Sequence, residues 1–168
     1  MDKSKEVKPL DIVLLGSKKG FVPKAIRLFR KSTYNHAGIV AEYLGELYIV
    51  EAQERGFHPT KTVEEWIEEK KEKGDKVVFL RASKPFDLNL GYSRLKSMVG
   101  AGYEFFNLTF YQVIKALTGK WYGTKDSKRV ICSEAVAWVY EEYFEEPFST
   151  TPDEIYNNED FNVVLKFG

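Results

Sequence analysis

The stretch HAGIVAEYLGELYIVEAQ, residues 36–53, holds two strand-like runs, HAGIVAEY and ELYIVEAQ, separated by Leu44 and Gly45. Short runs of β-branched and aromatic residues broken by a glycine-containing two-residue turn mark a β-hairpin. A turn at Leu44–Gly45 sets position 36 opposite position 53 and leaves Glu51 diagonal to His36 on the same face. Diagonal neighbours sit about 7–8 Å apart at Cα, within reach of long side chains. A slip of one residue would put the two on opposite faces, so the turn decides the register. Glu51 lies between Val50 and Ala52, and a carboxylate pointing inward there needs a polar partner. The alternative is that it points into solvent, as Glu42 and Glu46 are expected to do.

Outward from the hairpin, PLDIVLLG (9–16), KVVFLRA (76–82) and NVVLKFG (162–168) read as further strands. FVPKAIRLFRKST (21–33) places Val22, Ala25, Ile26 and Phe29 on one helical stripe, with Pro23 tolerated in the first turn. TVEEWIEEKKEKG (62–74) is an amphipathic surface helix with acids early, lysines late and Gly74 as its stop. LGYSRLKSMVGAG (90–102) and LTFYQVIKALTG (108–119) are moderately helical, and RVICSEAVAWVYEEYF (129–144) is the last strong helix. Strands first and helices later, with little β-α-β alternation, predict an α+β fold with a mainly antiparallel sheet.

At 168 residues the chain suits one domain, residues 1–168, with no repeat or linker to divide it. Lys+Arg and Asp+Glu both number 25, so no net field points toward nucleic acid. The charges are unevenly placed. Lys18, Lys19, Lys24, Arg27, Arg30 and Lys31 stand together between Asp11 and Glu42, and Lys24, Arg27, Arg30 and Lys31 are candidates for binding an anionic substrate. No apolar run reaches membrane-spanning length, and MDKSKEVKPLDIVLLG lacks a signal-peptide core, which predicts a cytoplasmic location.

The chain has one cysteine, Cys132, so no intramolecular disulfide forms and a reducing compartment suits it. Its place at the start of a helix admits two readings, a small buried hydrophobe or a nucleophile. Helix N-terminal amides favour a thiolate, with Ser133 as the expected N-cap and Glu134 in the first turn. The second usual activator is a histidine, and there are two. His58, in ERGFHPT, reads as a surface loop residue dispensable for chemistry. His36 has a candidate orienting acceptor in Glu51.

YNHAGIVAEY, then YIVEA, then VICSEAVAWVY resembles the circularly permuted branch of the NlpC-like papain-fold superfamily, and within it the YiiX/YaeF-like proteins, related to the lecithin:retinol acyltransferase group. The order His, acid, Cys is the permuted one. KPLDIVLLG, GYEFFN and TPDEIYNNEDFNVV are similar to the family's opening, middle and closing segments, so the resemblance spans most of the chain. Two departures are Tyr103-Glu104 where Tyr-Asp is common, and a slightly long turn between the two strands. The resemblance implies a permuted papain-like fold, an antiparallel sheet packed on the cysteine helix. It also implies catalysis by Cys132, His36 and Glu51, with Tyr103 as a candidate oxyanion or substrate contact.

The expected activity is thiol hydrolysis of an amide, in a peptide or cell-wall peptide. The alternatives are an acyltransferase or lipid hydrolase using the same triad, and a non-catalytic binding module. Ile26, Leu28 and Phe29 among the cations keep a membrane surface open as a partner. No cofactor is expected, and three isolated ligands with no close-spaced pair argue against a metal site.

Overall fold

The computed structural model describes residues 3–17, 33–53, 56–99, 132–147 and 150–168. The expected helices over 21–33 and 108–119, the four candidate anion-binding cations and Tyr103 lie outside these residues.

Among the described residues six strands form one sheet: β1 (Ile12–Gly16), β2 (His36–Tyr43), β3 (Glu46–Gln53), β4 (Gly56–Thr62), β5 (Lys76–Ala82) and β6 (Phe161–Phe167). Their order is β4-β3-β2-β1-β5-β6, and every neighbouring pair is antiparallel. The α-helices among the described residues are α1 (Val63–Glu72), α2 (Leu88–Met98), α3 (Cys132–Val139) and α4 (Pro152–Asn157). The architecture is α+β, as the grouping of strands and helices implies. No helix among the described residues is long and apolar enough to cross a membrane.

The two-residue period of the strands sorts their side chains onto two buried faces. On one face, Ile12, Leu14, Ala37, Ile39, Val50, Val78 and Leu80 meet α2, α3 and α4. On the other, Val13, Leu15, Val40, Ile49, Val77 and Phe79 meet Val63, Trp66 and Ile67 of α1. Those three residues repeat at helical spacing, and α1 is held at its start by a capping box between Thr62 and Glu65.

Helix α3 is seated by more than its apolar contacts. Ala135, Val136 and Val139 enter the first cluster. At its end the Tyr140 hydroxyl donates to the Leu10 carbonyl, and Arg94 of α2 donates from Nη1 to the Val139 carbonyl at 3.1 Å. A cation at a helix C-terminus completes carbonyls that have no partner within the helix. Leu10 is held in turn by its neighbour Asp11, which is buried and grips Arg81 of β5 in a fork, Nε to Oδ1 and Nη2 to Oδ2, both 2.7 Å.

The hairpin β2–β3 closes through Leu44 and Gly45 at φ 51° and 82°, with Tyr43 paired to Glu46. Positive φ at both central positions is the turn whose twist matches that of the strands. The connection is thus the short two-residue turn, not the lengthened one suggested by comparison with the family pattern. Leucine fits its place poorly, being left-handed and 87 % exposed. We predict that Leu44→Asn stabilises the protein by roughly 0.5–1 kcal/mol, since asparagine tolerates the left-handed region. Thermal denaturation reads this as a rise of a few degrees, and a fall in melting temperature would contradict it.

Two local expectations are corrected. Ser133 is not an N-cap; it lies inside α3 and is buried. His58 is not in a loop but in β4, directly opposite Glu51. Gly56 and Pro59 suggested a loop, yet β4 is an edge strand, where a residue without an N–H is tolerated.

Candidate active site

The hairpin turn delivers the register on which the site depends. Gly38 pairs with Glu51, so Glu51 reaches diagonally to His36 across a position that has no side chain. A Cβ at Gly38 would stand 3.3 Å from the Glu51 Cβ, 3.2 Å from Val13 Cγ1 and 3.0 Å from the Val50 carbonyl oxygen. The glycine is therefore a matter of space: it leaves the Glu51 carboxylate room beside the histidine.

His36 is fixed from its N-terminal side. The Asn35 amide donates to the Leu15 carbonyl at 2.9 Å, and the Asn35 side chain bridges Ser17, donating to its carbonyl at 2.9 Å and accepting from its N–H at 3.3 Å. The Tyr34 N–H donates to Asp153 of α4 at 3.1 Å. The strand therefore starts at His36 with little freedom in its approach.

The His36 Nε2 and Glu51 Oε2 atoms are 2.8 Å apart. Cys132 lies beside the same ring and acts on its charge, while Nε2 is committed to Glu51. By register His36 pairs with Leu15 and Glu51 with Gly38, on the face of Val40 and Ile49, while Cys132 belongs to the cluster under α3. Cys132 is only 4 % exposed, whereas the His36 side chain is 22 % exposed and gives the site its opening to solvent.

The electrostatics follow from this packing. Burial pushes the His36 imidazolium toward losing its proton. The adjacent Cys132 sulfur, as charge and hydrogen-bond partner, and then the Glu51 carboxylate outweigh that and raise its pKa from 6.5 to about 10. Burial also pushes the Glu51 carboxyl up. The hydrogen bond and charge of His36, then Thr60 and the charge of Lys70, bring it down to about 2. The His36 ring thus lies between the Cys132 sulfur and the Glu51 carboxylate, and both favour its charged form.

Cys132, His36 and Glu51, expected together from sequence, are thus brought together. His58 is not part of this line; its Nδ1 pairs with the Gly56 carbonyl at 3.0 Å. Sequence reasoning missed the partners of the second Glu51 oxygen. Oε1 accepts from Gln53 Nε2 at 3.0 Å, Thr60 Oγ1 at 3.0 Å and Trp66 Nε1 at 3.3 Å. Trp66 stood out only as the apolar stripe of a helix, and nothing local signals an indole aimed at a carboxylate. Among the described residues no group of three or more His, Cys, Asp or Glu side chains is arranged to hold a metal ion.

Comparison with known proteins gives the family and the fold. Residues 8–163 match a family model described as permuted papain-like amidase enzyme, YaeF/YiiX, C92 family. A solved structure described as metalloprotein yiiX from Escherichia coli O157:H7 shares the fold with a TM-score of 0.66. That similarity covers 96 % of this chain and 98 % of the other at 20 % sequence identity. A search of curated proteins found no match.

Proposed function

Because the chain belongs to the permuted papain-like amidase family, a family of cysteine hydrolases, we propose that it cleaves an amide bond with Cys132 as nucleophile, His36 as proton carrier and Glu51 as orienting carboxylate. The observation that carries this reading is the buried Glu51 bonded to His36 Nε2, with Cys132 close enough to raise the pKa of the same ring.

Each group has a step. The Cys132 thiolate attacks the amide carbonyl and forms a C–S bond. The backbone N–H of Cys132, at the start of α3, donates to the developing oxyanion. The intermediate collapses as the His36 imidazolium gives its proton to the leaving amine, which breaks the C–N bond and leaves a thioester. Water then attacks the thioester while neutral His36 takes its proton, and the acid and the thiolate–imidazolium pair are regenerated. Glu51 keeps its charge throughout and holds the ring. A peptide or cell-wall peptide is the substrate class we favour, and a lone nucleophilic thiol suits a reducing compartment such as the cytoplasm.

The test pairs turnover with intact mass on panels of peptide amides, peptidoglycan fragments and lipid esters. Amide turnover with an acyl adduct on Cys132 is expected, and His58→Gln should keep turnover within about threefold, the small change of a substitution outside the chemistry. Acyl adducts from lipid esters with no amide turnover would replace this reading by acyl transfer. No adduct from any donor would leave a binding module.

A pH prediction follows. His36 must be protonated to expel the amine, and its raised pKa keeps it so until the pH climbs toward 10. The alkaline limb of kcat/KM is therefore expected near pH 10. A limb near 6.5, the ordinary histidine value, would show that Cys132 and Glu51 do not act on the ring as described.

A further inference from the structure

We propose that Thr60 and Trp66 are positioning residues for this reaction: together they lock the Oε1 atom of Glu51, so that Oε2 is committed to His36. The inference rests on the amidase reading and adds to it two side chains from elements that carry no catalytic group.

A carboxylate has two equivalent oxygens and can rotate between them. Here they are made unequal. Among the described residues Oε2 meets only His36, at 2.8 Å, while Oε1 takes Gln53, Thr60 and Trp66. Three donors on one oxygen saturate its two lone pairs. Turning the carboxylate would cost those bonds and leave the indole N–H of the buried Trp66 unpartnered. Gln53 is exposed at its strand end and competes with water, so Thr60 and Trp66 carry the asymmetry.

Thr60 owes its aim to an irregularity. Pro59 pairs with Val50 and Thr62 with Tyr48, which leaves Thr60 and Lys61 together opposite Ile49. Such a bulge redirects side chains beside functional sites. The Thr60 hydroxyl lies 3.2 Å from the Ile49 carbonyl as well as 3.0 Å from Glu51. It has one proton, and the ionised oxygen is the stronger acceptor. Among the described residues, the charged or titratable groups facing Glu51 are His36 from β2, His58 opposite on β4, Lys61 at the bulge and Lys70 from α1.

The test uses Thr60→Val and Trp66→Phe, which remove the donors and keep most of the apolar bulk, with Thr60→Ser as the conservative rescue. Each removal is expected to lower kcat about three- to tenfold with KM held, and the double variant about 10- to 100-fold. Thr60→Ser should stay near wild type. The Thr60 hydrogen bond helps hold the Glu51 pKa down, so the acid limb of kcat/KM should move to higher pH in the double variant. The His36 Nε2–H signal in proton–nitrogen NMR, assigned with His58→Gln, should exchange faster with water. A double variant with wild-type kcat and acid limb overturns the proposal. So does lost activity with the limb and the NMR signal unmoved, which marks a merely structural role. If Trp66→Phe fails to fold, Thr60→Val against Thr60→Ser decides by the same readouts. If no variant or wild type turns over any amide, the NMR exchange still judges the clamp, and only the amidase reading fails.

Discussion

Cys132→Ala is expected to abolish amide hydrolysis, lowering kcat/KM on the order of 10⁴- to 10⁶-fold, the loss typical of removing a covalent nucleophile. Alanine keeps the small buried volume at this position, so the fold should persist, with a melting temperature within a few degrees of wild type. His36→Ala should cost a similar factor, because without it the sulfur has no proton partner and the leaving amine no acid. The two groups perform one step, so the double variant should be about as inactive as either single one. Additive losses would mean that the two act independently. Residual turnover within tenfold of wild type in Cys132→Ala would remove the thiolate mechanism altogether.

The second large effect is expected at Glu51. In Glu51→Gln one amide group must replace a carboxylate that meets four donors. If its oxygen faces His36, its NH₂ points at Thr60 and Trp66; if it is turned, the NH₂ points at the ring. Either way donors oppose donors in a buried place. We expect kcat/KM to fall about 10²- to 10⁴-fold, by analogy with loss of the carboxylate from other nucleophile–histidine–carboxylate sites. Stability should fall by roughly 2–4 kcal/mol as buried polar groups and the imidazolium lose their partner. Glu51 also helps raise the His36 pKa, so the residual activity should lose its alkaline limb at a pH below the wild-type value. Wild-type rate with an unmoved limb would show that Glu51 is a bystander. Glu51→Asp should not rescue, since shortening by one methylene withdraws the carboxylate from a ring it now meets at 2.8 Å.

Local sequence determined the pieces that depend on local periodicity. Residues 36–53 alternate, break at Leu44–Gly45 and alternate again, which dictates both the hairpin and the diagonal placement of Glu51 against His36. The strand over 76–82 and the helix from Thr62 to Gly74 were legible for the same reason: period, cap and stop are local features. The order His36, Glu51, Cys132 was legible too, since order needs no geometry. The meeting of Cys132 with His36 was decided only by the tertiary structure. It depends on α3 docking across the sheet and being held by Tyr140 and Arg94, contacts between segments far apart in the chain. The strand character of His58 depends on β4 being an edge, a property of the sheet and not of GFHPT. The Thr60–Trp66 grip on Glu51 depends on a bulge and on which helix covers that face. Side-chain period tells which residues share a face; only the packed sheet tells what lies on the other side of it.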